Sequence, residues 1–229
     1  MRRPIVAITL ALWSLGVACS GLATDLFPAA AVYPLDGLSR SLAAGEKLPC
    51  QTGELALISY RGEQLRYQRP VRVHPAFKPQ LAAFEHIVVE LSRQHFGRAP
   101  RLLLHFGAYV CRPMRRHAYW ASEHAFGNAL DLAGFEFGPL PRGAPAPQGL
   151  AKPLHRGFAV RVDRHWEGSG NDAAKSAFLH ALAERLMERP DVFRSLVGPG
   201  FAGHDNHFHL AHPPYRLVRI GAVQRWWFW

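Results

Sequence analysis

Two short stretches, far apart in the chain, set a condition that the whole fold has to meet. Ser122-Glu-His-Ala-Phe-Gly-Asn-Ala-Leu-Asp131 holds a histidine and an aspartate with Gly127 between them, and His204-Asp-Asn-His-Phe-His209 lies far downstream. A catalytic zinc ion typically takes three protein ligands and leaves a fourth position for water. His124 and Asp131 offer one nitrogen and one oxygen, and Gly127 permits the sharp turn that brings a loop histidine beside a strand aspartate. Residues two apart on a strand face the same side, so His207 and His209 point together, one for the metal and the other for a substrate. A chain that uses both stretches must therefore fold so that they meet. The structural alternative is a metal site that only stabilises the fold.

At 229 residues the chain is long enough for one sizeable domain whose core needs no staple. A hydrophobic content of 48% with 19% charged residues places it with globular rather than disordered chains. The start is distinctive: Met1-Arg-Arg-Pro, an apolar run from Ile5 to Ala18, then small residues to Ala23. That is the layout of a secretory signal (residues 1–23), and the run is short of the about 20 apolar residues of a spanning helix. Cys19 as a lipid-bearing cysteine and an uncleaved anchor are the alternatives, although Gly16 stands where a lipobox carries a bulky aliphatic residue. Export to the periplasm or cell envelope is the expectation.

Compartment decides how to read the other two cysteines. In an oxidising space an even pair, Cys50 and Cys111, reads as a disulfide; two buried thiols are the alternative. The net charge of +10 points, for an exported protein, to an anionic wall polymer or a membrane surface rather than to nucleic acid, for which no stacking or groove-reading motif is present. A basic surface without a specific partner is the plainer reading.

Along the chain, residues 24–49 read as a tether or a segment draped over the domain. Glu54–Tyr60 and Leu65–Val73 read as two strands forming a hairpin around Arg61–Gln64, the second an edge strand because of Pro70. Leu81, Phe84, Val88 and Leu91 recur at helical spacing between Pro79 and Phe96, and Gly97 closes that helix. Arg101–Phe106 is a buried strand, Asn128–Phe137 ends as a strand, Gly138–Pro153 is a Pro/Gly/Ala-rich loop and Phe158–Val162 is a further strand. Ala173–Glu188 is a second helix, stopped by Pro190, and His207–Ala211 is a closing strand. The predicted fold is α+β: a small antiparallel sheet backed by about two main helices, with the zinc site in a cleft on the sheet. Arg225-Trp-Trp-Phe-Trp229 ends a basic, aromatic tail (216–229) that either packs on the domain (50–215) or sits at a membrane interface.

Ser122-x-His124-x-x-Gly127-x-Ala129-x-Asp131 followed by His207-x-His209 resembles the zinc peptidases grouped around lysostaphin, bacterial D-Ala-D-Ala peptidases and the hedgehog signalling domain. Tyr109-x-Cys111-Arg112, Ser122 to Phe135 and His207-Phe-His-Leu210 are similar, more closely, to the bacterial extensin-like C-terminal domain family. This resemblance spans roughly Cys50 to His212. It implies zinc ligands His124, Asp131 and His209. It also implies a substrate- and oxyanion-contacting Arg112, a substrate-orienting Ser122 and a non-ligand catalytic His207. Arg112 as a surface cation and Ser122 as a turn cap are the ordinary alternatives.

Relatives with a glutamate base place it where this chain has Asn206, which cannot take a proton. His207 is then the expected base, with Asp205 and Glu123 behind it. The Pro-rich loop is longer than the family resemblance leads one to expect, which bears on substrate preference. The activity so implied is hydrolysis of peptidoglycan cross-links by zinc-activated water. The rivals are a D-Ala carboxypeptidase and an inactive, zinc-stabilised wall-binding module.

Overall fold

The computed structural model describes residues 32–115, 117–221 and, for the backbone alone, 223–227. The signal-like segment, Cys19 and the last two aromatics lie outside them. Among the described residues no helix is long and apolar enough to cross a membrane.

In chain order the elements are α1 (Pro49–Thr52), β1 (Ile58–Tyr60), β2 (Val71–Val73), α2 (Lys78–Phe96), β3 (Leu102–Gly107), β4 (Pro113–Met114) and β5 (His117–Ala121). After them come β6 (Ala129–Phe137), β7 (Phe158–Arg161), α3 (Val162–His165), α4 (Ala173–Met187), β8 (Ser195–Val197), β9 (Phe208–Ala211), β10 (Arg216–Ile220) and β11 (Val223–Trp227). The architecture is α+β as expected. One seven-stranded sheet runs β11-β10-β8-β9-β6-β3, with β7 also paired to β6, and two small antiparallel pairs stand apart from it.

The two long helices form where the apolar spacing put them. On α2 the residues Leu81, Phe84, Val88 and Leu91 are all buried, and Gly97 ends the helix with φ 71°, its N–H returning to the Arg93 carbonyl. On α4, Phe178, Leu179, Leu182 and Leu186 are buried. Phe178 lies where α2 and β6 meet, its ring centroid 5.2 Å from Phe96 and 5.7 Å from Phe135.

Strand β6 explains how one sheet serves both a core and a site. Leu130 and Leu132 join the core, and so do Phe135 and Phe137, so the apolar set switches from even to odd positions. The switch falls at Gly134, which has φ 150°; a Cβ there would lie 2.1 Å from the Val160 carbonyl oxygen. Only glycine tolerates that approach. In β9 the core takes Phe208 and Leu210. Asp131 and His209, between those apolar residues, are left on the face away from the helices.

Two expectations change. Leu65–Val73 does not fold back on Glu54–Tyr60 around a tight turn, because Ile58 pairs with Val73 and Tyr60 with Val71, leaving residues 61–70 as a loop. The buried Glu85 carboxylate of α2 draws that loop away from a ladder: it accepts N–H bonds from Glu63, Gln64 and Leu65 and the Tyr60 hydroxyl. The sheet also continues past residue 215. Val218 and Ile220 of β10 are buried in the main core, β10 runs parallel to β8, and β11 pairs with β10. The basic and aromatic stretch taken as a tail thus supplies two strands. The Pro-rich stretch after β6 is a loop, as expected, and one side chain gathers it. Arg98 donates to the carbonyls of Gly138, Leu154 and Arg156.

Cys50 and Cys111 are joined in a disulfide, Cα to Cα 5.8 Å. Before it, residues 33–48 lie over the domain as a strap. Leu35, Leu48 and Tyr33 pack with Ala121, Ala125 and Phe126 in a second small core.

Candidate metal centre

Antiparallel pairing sets Asp131 of β6 directly opposite His209 of β9, and Gly107 at the end of β3 pairs with Asp131 from the other side. Opposed residues in such a pair share a face. The third member comes from outside the sheet. His124 sits in a 3₁₀ turn, Glu123–Phe126, whose N-cap is Ser122: the Ser122 Oγ accepts the His124 N–H at 3.3 Å. Gly127 ends the turn at φ 64°, and a Cβ there would lie 2.7 Å from the His74 nitrogen. Any other residue at 127 would push the turn off β2.

The result is a convergence of three acceptor atoms. His124 Nε2 lies 3.1 Å from Asp131 Oδ1 and 3.1 Å from His209 Nδ1, and His209 Nδ1 lies 3.0 Å from Asp131 Oδ1. Ligands on a tetrahedral zinc with bonds of about 2.0–2.1 Å stand about 3.3 Å apart, so the three atoms form nearly one face of that tetrahedron. The tautomer agrees. His124 Nδ1 lies 3.1 Å from the Ala108 carbonyl, which can only accept, so its Nε2 carries a lone pair toward the other two. Two imidazoles and a carboxylate suit zinc in number and chemical type. Among the described residues, His124, Asp131 and His209 are the group able to hold a metal ion.

Electrostatics follow from this crowding. Burial alone would raise the Asp131 pKa, but the close approach of His124 and His209 outweighs it and holds the carboxyl far below its usual range. His207 brings Nε2 to 3.5 Å from Asp131 Oδ1. Its pKa is lowered, mainly by burial; Asp131 opposes this, while His209, His124 and Arg115 add to it. His204, whose ring centroid is 5.0 Å from that of His207, is pushed down to about 4 by burial and by its two histidine neighbours.

The remaining sequence-derived residues land in different places. Asn206, which cannot act as a base, accepts from His207 Nδ1 at 2.7 Å and so turns an unprotonated His207 Nε2 toward the centre. Glu123 is buried in an ion pair with Arg40, Nε to Oε1 2.8 Å, and also accepts from Asn128 Nδ2. It is not free to shuttle protons. Asp205 is exposed and lines a separate cavity with Trp166 and Glu167. Ser122 is buried as the turn cap. Arg112 donates to the Pro113 carbonyl, whereas the arginine whose charge reaches His207, as the smallest of the contributions there, is Arg115, just past β4. Sequence reasoning missed Arg115 and the roles of His204 and Arg40. His204 was visible in the downstream stretch, but an arginine three positions after Arg112 carried no signal.

Fold and site together define an α+β domain whose sheet carries a His/Asp/His metal-type centre on the face away from its helices. Residues 38–139 of this chain match the sequence profile of the family described as extensin-like protein C-terminus. The matched segment holds Arg40, both cysteines, His124 and Asp131, and it ends before His207 and His209. No curated protein and no solved structure matches the chain.

Proposed function

We propose that the protein is an exported zinc peptidase that hydrolyses the peptide cross-links of peptidoglycan. The observation that carries this reading is the three-atom convergence of His124, Asp131 and His209 with His207 standing beside it. The likeness to zinc peptidases rests on the same residues. Zinc bound by the triad would supply a Lewis acid and lower the pKa of a water toward about 7. The chain's own residues do the rest. His207, its Nδ1 hydrogen held by Asn206, takes a proton at Nε2 from the attacking water and returns it to the departing amine. Its lowered pKa keeps it unprotonated at neutral pH, as a general base requires. Arg115 and Arg112, at the β4–β5 hairpin, are the cations available to the oxyanion. Export fits the signal-like N-terminus and the disulfide, and an anionic wall fits the basic surface.

One observation favours a second reading. With Asn206 in place of a glutamate and Glu123 locked by Arg40, a zinc-stabilised wall-binding module without activity also accounts for the site. Digestion of purified peptidoglycan, with product masses and bound zinc measured for wild type, His209→Ala and His207→Ala, separates the two. The expected result is loss of cross-linked dimers with wild type, loss of zinc in His209→Ala, and zinc retained in His207→Ala with the rate reduced about 10²–10⁴-fold. Retained zinc with no products identifies the module. Release of D-Ala from intact dimers identifies a carboxypeptidase, and unimpaired His207→Ala removes the assigned base.

A further inference from the structure

A second concavity, of about 220 Å³, opens beside the metal centre, lined by Arg69, Arg72, His105, Phe106 and Tyr109 with the backbone of Gly107 and Ala108. Its floor is continuous with the site. Gly107 is the pairing partner of Asp131, the Ala108 carbonyl holds His124 Nδ1, and the Phe106 ring meets His207 edge-on at 5.7 Å. That separation is under two residues of extended peptide, at about 3.3 Å each.

The lining is cationic and aromatic. Arg69 Nη2 donates to the Phe106 carbonyl at 3.0 Å, and the Arg72 guanidinium lies 5.0 Å over the Tyr109 ring. Both arginines are exposed, no Asp or Glu lines the cavity, and neither has a carboxylate partner among the described residues. Each guanidinium has five N–H donors, so one carbonyl bond or one stacked face leaves a fork to offer an anion. Phe106, 45% exposed, supplies apolar surface between the arginines and His207.

We propose that this cleft is a substrate subsite for a carboxylate-bearing arm of the peptide. Arg69 and Arg72 clasp the carboxylate, Phe106 and Tyr109 cover the aliphatic part, and the scissile amide is thereby set against His207 and the triad. The proposal rests on the peptidase reading, and its test is built to fail separately from it. The zinc-loaded full chain is given a cross-linked muropeptide dimer with free carboxylates and the same dimer amidated. Binding of the corresponding tetrapeptide acid and amide is measured calorimetrically.

Two charge-assisted bonds lost in Arg69→Gln/Arg72→Gln should raise KM for the free acid about tenfold or more, with kcat nearly unchanged. The preference for acid over amide should vanish in both assays. Arg66→Gln, an exposed arginine on the same loop but outside the cleft, should match wild type. Hydrolysis with no preference for the acid overturns the subsite and leaves the peptidase. Acid-selective binding lost in the double variant, without hydrolysis, keeps the subsite and removes the peptidase. An equal loss in Arg66→Gln, or no binding of either tetrapeptide, overturns the subsite.

Discussion

Asp131 and His209 reach the centre by sheet register, whereas His124 reaches it through a short turn held by side chains. The two strands are locked by Leu130, Leu132, Phe208 and Leu210 packed beneath them, and opposite pairing does the aiming. The His124 turn has the Ser122 cap at its start and Glu123 beside it, clasped by Arg40 and Asn128. Asn128 in turn accepts from the Tyr33 hydroxyl and donates to the His212 carbonyl, and Arg40 donates to carbonyls of the strap at Leu35 and Leu38. A ligand placed by packing tolerates polar change nearby. A ligand placed by a buried polar network depends on every partner in it.

The largest effect that tests this difference is expected from Arg40→Met. It strands the Glu123 carboxylate in a buried position, which should cost about 3–5 kcal/mol in urea unfolding, with most recovered in Arg40→Met/Glu123→Gln. Zinc affinity, measured well below the unfolding transition, should fall in the single variant. Phe178→Ala in α4 should lose a similar amount of stability, about 3–5 kcal/mol, yet keep its zinc affinity. Equal zinc loss in both would erase the distinction between the two kinds of support.

A smaller effect isolates the cap. Ser122→Ala should cost about 1 kcal/mol of stability and weaken zinc binding, with kcat per bound zinc nearly unchanged. A fall in kcat at full zinc occupancy would instead return Ser122 to the substrate.

The smallest effect is acid sensitivity on the strap side. Burial lowers the His212 pKa from 6.5, the nearby Arg194 charge adds to this, and the ring packs under Tyr33 at 4.6 Å. The unfolded chain therefore binds a proton more readily than the native one. The stability linked to neutral His212 is fully present above pH 6.5 and is lost as pH falls through the lower native value. His212→Gln should flatten the dependence of unfolding free energy on pH below 6.5 by at most one proton's slope, about 1.4 kcal/mol per pH unit. An unchanged slope would place the acid response elsewhere, among His74, His95, His105 and His165, which burial also lowers.

What could be read from residues alone follows the same divide. Leu81, Phe84, Val88 and Leu91 announce α2 through their spacing, and His207-x-His209 announces a shared strand face, because both patterns are local. The joining of Cys50 to Cys111 was the expectation for an even cysteine pair behind a signal-like start. Residues whose partners lie far away stayed silent. Arg40 is one basic residue among many until Glu123, 83 positions on, is seen against it. Glu85 looks like a solvated helix residue, yet it is fully buried and decides the course of residues 61–70. The parallel pairing of β10 with β8 is a tertiary outcome that no alternation in Arg216–Ile220 encodes. At the centre itself Asn206 was legible only as a missing base; its use in orienting His207 shows only in the folded chain.

Gly134 carries a consequence for how this strand can vary in length. It divides β6 into two runs of opposite parity, each presenting its own apolar pair to the helices. Because a one-residue slip turns a whole strand over, deletion of Leu130 with the start of the strand held sends Asp131 inward and brings Leu132 out to meet His209. A one-residue deletion beyond Gly134 exchanges Phe135 and Phe137 with their neighbours and leaves Asp131 where it was. The glycine thus acts as a frame marker, separating a half-strand whose length is fixed by chemistry from one whose length is fixed by volume.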